Sequence, residues 1–185
     1  PDELLWYVRR VPRPTLREGE RCLLHFEAVD FACACCVNGQ VVGTHRGGYP
    51  PFVFDITEAM TKVDGEDTLD AGEHAEIVIA LCVWDPSDTG TQLRGKQKLK
   101  RGGIWYTAQS GIWQPVWMEV VPERSIEAVA LRPDCDQELL VADVDVRGAS
   151  GLLRLYVSDG DGVQVGSVAV AVEEGAVPEG ADPAG

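Results

Sequence analysis

The residues of this chain that could take part in chemistry are concentrated between Trp84 and Glu119. This stretch combines aromatic rings, basic side chains and glycines, and it shows little apolar periodicity until its last third. It holds four of the five tryptophans, namely Trp84, Trp105, Trp113 and Trp117. Polar side chains beside aromatic rings are typical of a preformed ligand site. We therefore interpret the stretch as the functional region of the chain.

The candidate ligand contacts lie in the front part of that stretch and in a glycine-rich turn, HRGGY, that precedes it. In the front part they are Asp85, Asp88, Gln92, Arg94, Lys96, Gln97, Trp105 and Tyr106. In the turn they are Arg46 and Tyr49, for which fixing one loop against another is the favoured role. Trp105 and Tyr106 follow a Gly-Gly pair, so they could contact a ligand or another domain. For Trp113 and Trp117 we favour packing in the core or at a domain border.

Asp85 and Asp88 are close enough in sequence to suggest a catalytic carboxylate pair. However, Asp85 directly precedes a proline and Asp88 lies in a turn sequence, which is the usual pattern of side chains that cap turns. We therefore assign no catalytic residue in this chain.

A basic run follows these carboxylates, and no acidic residue lies between Asp88 and Glu119. Its members are Arg94, Lys96, Lys98, Lys100 and Arg101. In an acidic protein such a local reversal of charge could attract an anionic group or an acidic protein surface. A solvated, mobile loop without a ligand is the alternative interpretation.

Composition limits what this region can belong to. The chain has 185 residues, 45% of them apolar, which is enough for one sizeable core and a small second module. A net charge of −14 argues against nucleic acid and anionic membranes as partners. No apolar run approaches the roughly 20 residues that a bilayer requires. We recognise no signal peptide and expect a cytoplasmic location, although the first residues resemble a cut within a longer protein.

The six cysteines, Cys22, Cys33, Cys35, Cys36, Cys82 and Cys135, lie mostly in apolar strand-like sequence. Cys33 and Cys36 form a C-x-x-C pattern, but alternation along a strand points their side chains to opposite faces. We therefore expect reduced thiols that fill the core, and neither a metal nor a cofactor.

Nearly every segment of the chain predicts a strand or a turn. The predicted strands of the first part cover residues 5–10, 21–29, 31–37, 52–54, 75–84 and 113–120. Asn38-Gly39 predicts a two-residue hairpin, and Pro115 predicts an edge position for the last of these strands. Asp55 and Glu58 have capping-box spacing over one predicted helical turn, Ile56 to Met60. Residues 62–73 read as an acidic surface loop. The fold class is therefore all-β, an antiparallel β-sandwich.

The excess of acidic over basic residues becomes larger after Pro122. We therefore predict one domain at 1–122 and a second at 123–185. The second part contains four strand candidates, at 125–131, 138–147, 152–157 and 163–172. This is too few for the roughly seven strands of an immunoglobulin-like sandwich. The final residues, EEGAVPEGADPAG, have the composition of a disordered acidic tail.

Three linked motifs support a family resemblance. They are HFEAVDFACACCVNGQVVGTHRGGYPPFVFDIT, WDPSDTGTQLRGKQ and GGIWYTAQSGIWQPVWMEVVP, in that order. Together they resemble the N-terminal sugar-binding domain of glycoside hydrolase family 2, which contains β-galactosidase, β-glucuronidase and β-mannosidase type enzymes. The resemblance covers roughly residues 5–122 and implies a jelly-roll, galactose-binding-like sandwich. The part from Ser125 onward resembles the start of the immunoglobulin-like domain that follows in the family.

The resemblance also implies where the chemistry of such enzymes lies. Retaining glycosidases use two carboxylates about 5 Å apart, and in this family both belong to a later TIM barrel. We therefore expect the chain alone to be inactive, and to position a β-glycoside while its Asp85–Tyr106 loop contacts the barrel. The alternative is a free-standing carbohydrate-binding or protein-interaction module. Exposed strand edges in the second part could also pair between copies as a homo-oligomer.

Overall fold

The computed structural model describes residues 3–63, 66–67, 75–148 and 150–172. The chain divides into two compact units, Pro1–Val121 and Pro122–Gly185. Most of the predicted acidic loop at 62–73, and all of the predicted disordered tail, lie outside the described residues. Among the residues that are described, no helix is long and apolar enough to cross a membrane.

The first unit is built from short strands joined by turns, as the alternating apolar residues predict. Its strands are β1 (Leu5–Pro12), β2 (Glu20–Phe26), β3 (Val29–Asp30), β4 (Ala32–Val37), β5 (Gln40–Arg46), β6 (Phe52–Asp55), β7 (Lys62–Val63), β8 (Glu66–Asp67), β9 (Glu76–Trp84), β10 (Gln97–Lys98), β11 (Tyr106–Thr107), β12 (Gly111–Ile112) and β13 (Val116–Pro122). The all-β prediction is confirmed.

Two main sheets carry this unit. One has the strand order β1-β9-β4-β5, and the other has the order β13-β2-β6. The pairs β3–β12, β7–β8 and β10–β11 are short additions. The pairs β1–β9, β4–β9, β4–β5 and β2–β6 are antiparallel. Antiparallel strands that follow one another in the chain can be joined by tight turns.

The core lies between the inward faces of these sheets. Every second side chain of β2 is buried, as are every second side chain of β4 and three positions of β9. These buried side chains are Cys22, Leu24, Phe26, Cys33, Cys35, Val37, Ile77, Leu81 and Val83. Period-two burial of this kind is what a half-buried strand requires.

The predicted hairpin at Asn38-Gly39 joins β4 to β5. Both residues have positive φ, 48° and 80°, which a type I′ turn requires and which Asn and Gly tolerate best. The Asn38 side chain also fixes the turn, because its Nδ2 donates to the Ala59 carbonyl and its Oδ1 accepts from the Val78 amide. This prediction is confirmed.

Two local predictions are wrong. The helical turn is a 3-10 turn at Ala59–Thr61 rather than Ile56–Met60. The capping box does not form as predicted, because the Asp55 carboxylate accepts from the amide and hydroxyl of Thr57 while Glu58 pairs with Lys62. The last strand of the unit begins at Val116 instead of residue 113, so Pro115 precedes it. That strand, β13, does lie at the edge of its sheet.

The second unit consists of two hairpins. Strands β14 (Ser125–Asp134) and β15 (Leu139–Arg147) pair antiparallel, as do β16 (Gly151–Ser158) and β17 (Gln164–Val172). The four strand candidates of the sequence therefore all form strands, two of them longer than predicted and two of them one residue shorter. Their assignment to an immunoglobulin-like domain stays a prediction.

The cysteines are free thiols, but they do not all fill the core. Cys22, Cys33 and Cys35 are buried, and burial raises the pKa of the first two to about 11 and of Cys35 to about 12. Cys135 is exposed in the β14–β15 turn, which corrects the prediction for that residue. Local sequence did not reveal this, because the exposure of a turn depends on what packs over it.

Candidate functional site

The candidate loop runs from Asp85 to Ser110, and Asp85 holds its two ends together. The Asp85 carboxylate is buried and accepts hydrogen bonds from the Ser87 amide at 2.7 Å and from the Ser110 hydroxyl. Ser87 lies near the start of the loop and Ser110 at its end, so the Asp85 carboxylate joins the two ends. The structure therefore gives Asp85 an anchoring position beneath the loop.

The front of the loop is ordered by its own side chains. Thr89 Oγ1 donates to the Pro86 carbonyl, and Gln92 Nε2 donates to the Ser87 carbonyl. Arg94 donates to the Gly90 carbonyl at 3.3 Å. Gln92 and Arg94 were candidate ligand contacts, and part of their hydrogen-bonding capacity is used within the loop. Asp88 lies partly buried in the same turn.

The back of the loop forms a small parallel pair, β10 with β11. Gln97 Oε1 accepts from the Gln109 amide, and Arg101 donates to the Thr107 hydroxyl. The Lys98 ammonium lies 4.1 Å from the centroid of the Trp105 ring, which is a cation–π arrangement. Lys96 and Tyr106 are exposed, and the Lys96 carbonyl accepts from the Tyr106 amide. The rest of the basic run, Lys96, Lys98, Lys100 and Arg101, therefore lies in a hydrogen-bonded lobe at residues 96–109.

The HRGGY turn lies against the end of the same loop. Trp113 Nε1 donates to the Gly48 carbonyl at 2.8 Å, and the Tyr49 ring meets the Trp113 ring edge to face at 5.7 Å. The Arg46 guanidinium lies 5.2 Å from the centroid of the Phe31 ring. Both candidate residues of the turn thus contact neighbouring aromatic rings.

A cleft of about 490 Å³ separates the front of the loop from β5. Its lining combines two aromatic rings, a guanidinium and an amide. The lining residues are Phe31, Arg46, Trp84, Pro86, Thr89, Gly90, Thr91 and Gln92. Of the candidate residues, the cleft brings Arg46 and Gln92 together, whereas Lys96, Gln97, Trp105, Tyr106 and Tyr49 are not among its lining residues. This size and chemistry fit a small polar ligand.

Sequence reasoning missed Asp30, which lies beneath the HRGGY turn. Its side chain is buried, and burial together with the nearby Asp85 charge raises the pKa of its carboxyl to about 6. A Cβ added to Gly48 would lie 2.6 Å from Asp30 Oδ1, so the turn backbone crosses directly over this carboxyl. The available signal was an acidic residue inside the apolar run Ala28-Val29-Asp30-Phe31.

Trp113 and Trp117 are not core residues of this unit, because they are 48% and 42% exposed, and their packing at a domain border stays a prediction. Trp117 stacks on His25, with 3.9 Å between ring centroids and 3° between planes, and its Nε1 donates to Glu27 at 2.9 Å. The inward position on β13 belongs to Met118, which packs against the core.

Comparison with known proteins gives consistent relatives, although no protein-family model matches the chain. It is 26% identical over 180 residues to a β-galactosidase of Thermoanaerobacter pseudethanolicus. This alignment covers 91% of this chain and 21% of that enzyme. It is 24% identical over 178 residues to a β-glucuronidase of Streptococcus agalactiae, covering 87% of this chain and 28% of the relative.

Solved structures show the same fold. A Bifidobacterium dentium β-glucuronidase complexed with coumarin-3-O-glucuronide aligns with a TM-score of 0.66 at 23% identity, over 92% of this chain and 32% of the other. Bacteroides uniformis β-glucuronidase 3 aligns with a TM-score of 0.68 at 19% identity, over 91% and 21%. The chain thus spans between about a fifth and a third of the length of these relatives. The matches confirm its resemblance to glycoside hydrolase family 2, and the chain corresponds to one part of the β-galactosidase- and β-glucuronidase-type enzymes.

Proposed function

We propose that this chain is a non-catalytic accessory unit of a family 2 retaining β-glycosidase. In this proposal its Asp85–Ser110 loop helps to position a glycoside substrate and contacts a TIM-barrel catalytic domain. The observation that carries the proposal is the difference in coverage: the β-galactosidase match takes in 91% of this chain but only 21% of the enzyme.

The loop geometry supports an accessory role for its acidic residues. A retaining glycosidase uses one carboxyl group as nucleophile and another as acid and base, about 5 Å apart, on either side of the scissile bond. Asp85 instead accepts hydrogen bonds from Ser87 and Ser110 and is buried beneath the loop. These contacts support a structural role for Asp85 rather than a catalytic one.

The loop also presents groups that suit a neighbouring domain. Tyr106, Leu93 and Ile104 are among its most exposed side chains, on a loop that makes hydrogen bonds within itself. Ordered apolar and aromatic groups at a surface are characteristic of contact sites. The basic side chains beside them can pair with an acidic surface or an anionic substrate group.

Turnover by the chain alone tests the first part of the proposal. We expect no hydrolysis of nitrophenyl β-galactoside or nitrophenyl β-glucuronide above the buffer rate at high protein concentration. Hydrolytic activity that co-purifies with the chain, and that is lower in the Asp85→Ala variant, would contradict an accessory role.

The cleft favours a second candidate function, a carbohydrate-binding module that acts unaided. Its aromatic rings could stack on the apolar face of a pyranose while Arg46 and Gln92 read hydroxyl groups. Calorimetry with galactosides, glucuronides and mannosides separates the two candidates. The accessory proposal expects no binding tighter than about 10 mM, whereas a module would bind between micromolar and low millimolar.

Variants then locate any binding that is found. Gln92→Ala removes an amide from the cleft, and Trp105→Ala changes the back of the loop. If only Gln92→Ala lowers the affinity, the carbohydrate binds in the cleft. If only Trp105→Ala lowers it, the carbohydrate binds at the lobe. Trp113→Ala serves as a control for stability, because it removes the hydrogen bond that the Trp113 indole donates to the Gly48 carbonyl.

A further inference from the structure

The cleft between the front of the loop and β5 carries a single charge on its walls. Among the described residues that line it, Arg46 is the only charged side chain. The others contribute aromatic rings, backbone, two hydroxyl groups and one amide. A molecule that enters the cleft therefore meets one positive charge and no lining carboxylate, although the chain as a whole has a net charge of −14.

The Arg46 guanidinium is positioned by an aromatic ring rather than by a carboxylate. It lies 5.2 Å from the centroid of the Phe31 ring, and contact with a ring face does not consume the N–H donors of a guanidinium. In the described part of the chain, no acidic side chain forms an ion pair with Arg46. Its planar set of donors matches the two oxygens of a carboxylate. Arg46 thus has the chemistry of an anion-binding group.

The opposite wall of the cleft supplies an acceptor. Gln92 Nε2 donates to the Ser87 carbonyl at 2.5 Å, which fixes the amide. A Cβ added at Gly90 would lie 2.3 Å from Gln92 Oε1, so this oxygen lies over the glycine, and both residues line the cleft. An amide oxygen accepts hydrogen bonds, so Gln92 can receive one from a hydroxyl group of a ligand. The cleft therefore combines a cationic donor with a neutral acceptor.

The surroundings of the cleft favour an anion over a cation. No acidic residue lies between Asp88 and Glu119, whereas the loop carries five basic residues there. The buried carboxylates of Asp30 and Asp85 are sequence neighbours of lining residues, but they do not themselves line the cleft. A local excess of positive charge attracts anions even in an acidic protein.

We propose that this cleft binds a sugar unit that carries a carboxylate, and that Arg46 selects the charge. The carboxylate accepts two hydrogen bonds from the guanidinium, and a ring hydroxyl donates to Gln92 Oε1. The apolar face of the sugar packs against Trp84, which is partly exposed in the cleft wall. Recognition of this kind rests on the proposed function, because the loop that lines the cleft is the one assigned to positioning a glycoside. It adds the class of that glycoside, namely an acidic one.

Nuclear magnetic resonance of the whole, isotopically labelled chain tests the proposal. The probe signal is the indole N–H of Trp84, which is identified by its absence in Trp84→Phe. We expect methyl β-glucuronide to shift this signal with a Kd on the order of 30 mM at constant ionic strength, because Arg46 is exposed and an exposed ion pair is weak. The indole signals of Trp6 and Trp117, which do not line the cleft, should not move.

Matched ligands separate the charge from the sugar ring. Methyl β-glucoside has the same ring without the charge, and it should bind about fivefold more weakly. Acetate has the charge without the ring, and it should also bind about fivefold more weakly. Methyl β-galacturonide should bind within about twofold of the glucuronide, because the cleft reads the charge rather than the pattern of hydroxyl groups.

Variants assign the preference to one side chain. Arg46→Gln should make the affinities for methyl β-glucuronide and methyl β-glucoside equal, whereas Arg46→Lys should retain part of the preference. Lys96→Gln is the matched control, because it removes one positive charge from the same loop at an exposed residue that does not line the cleft. It should leave the preference unchanged.

Three outcomes would overturn recognition of an acidic sugar and leave the accessory function intact. They are equal binding of glucuronide and glucoside to the parent chain, a preference that survives Arg46→Gln, and acetate binding as tight as that of the glucuronide. Hydrolysis of nitrophenyl glycosides by the chain would instead contradict the accessory function. A glucuronide Kd below about 10 mM that depends on Arg46 would contradict the accessory function while supporting recognition of an acidic sugar.

Discussion

The indole ring of Trp117 lies parallel to the imidazole ring of His25, with 3.9 Å between their centroids and 3° between their planes. Their strands, β13 and β2, are neighbours in one sheet. Two carboxylates lie beside the pair: Glu27 accepts a hydrogen bond from Trp117 Nε1 at 2.9 Å, and a Glu119 oxygen lies 2.9 Å from His25 Nε2. An edge strand is thus held to its sheet by side chains as well as by the backbone.

Trp117→Ala should lower the free energy of unfolding by about 1–2 kcal/mol, because it removes a ring stack and a charge-assisted hydrogen bond from a half-exposed site. Urea unfolding followed by circular dichroism measures this loss. Trp6→Ala is the matched control, since Trp6 is 63% exposed on the edge strand β1, and we expect a change below about 0.5 kcal/mol. Equal losses in the two variants would contradict a special role for the stack.

Asp30 makes stability depend on pH. Burial and the Asp85 charge raise the pKa of its carboxyl from 3.8 to about 6, so the folded chain holds this proton more tightly than the unfolded chain. The associated stability is fully present below about pH 4 and is lost as the pH rises through 6. A shift of this size corresponds to at most about 3 kcal/mol.

Asp30→Asn stays neutral at every pH and should therefore stabilise the chain at pH 7 by up to about 3 kcal/mol. It should also flatten the slope of stability between pH 4 and pH 6, measured by urea unfolding at several pH values. Asp88→Asn, in the more open turn, serves as the control. A variant that is less stable at pH 7 than the parent chain would show that the Asp30 charge is needed for folding.

Asp85→Ala should release the loop that it closes, because the Ser87 amide and the Ser110 hydroxyl lose their shared acceptor. Limited digestion with trypsin reports this release, since Arg94, Lys96 and Arg101 lie within the loop. We expect cleavage there to accelerate by about tenfold or more while cleavage after Arg21 in β2 and after Arg46 in β5 stays slow. If trypsin cleaved the Asp85→Ala variant no faster than the parent chain, Asp85 would not be the residue that anchors the loop.

Gly43 is needed for steric reasons. A Cβ at this position would lie 2.3 Å from a ring carbon of Phe54, and that ring packs against the core. Gly43→Ala should therefore cost about 1–3 kcal/mol of stability through overpacking. Gly160→Ala places its methyl group in open space and should change stability little. Similar thermal midpoints for the two variants would contradict this packing.

The cysteines should differ strongly in reactivity. The exposed Cys135 should react with iodoacetamide at pH 8 long before Cys22, Cys33 and Cys35, because burial excludes the reagent and raises the pKa of these three thiols. Mass spectrometry of partly labelled protein measures the order. Early labelling of Cys35 would show that the interior opens on the timescale of the reaction.

The sequence by itself determined the features that depend on short stretches. Period-two alternation predicted the strands β2 and β4, and Asn38-Gly39 predicted the hairpin between β4 and β5. The three motifs predicted the family resemblance. These signals are local, because side-chain direction along a strand and positive φ in a turn follow from neighbouring residues.

Only the tertiary structure decided which distant residues meet. The Asp85 charge raises the pKa of the Asp30 carboxyl because the ends of β3 and β9 lie close together, and no sequence period encodes that proximity. The sequence favours packing of Trp113 and Trp117 in the core or at a domain border, because large aromatic side chains usually bury apolar area. The half-exposed position of Trp117 follows from alternation along β13, which turns Met118 inward instead, whereas Trp113 lies before that strand. A shift of one residue in register exchanges the two faces of a strand, and pairing with another strand sets that register.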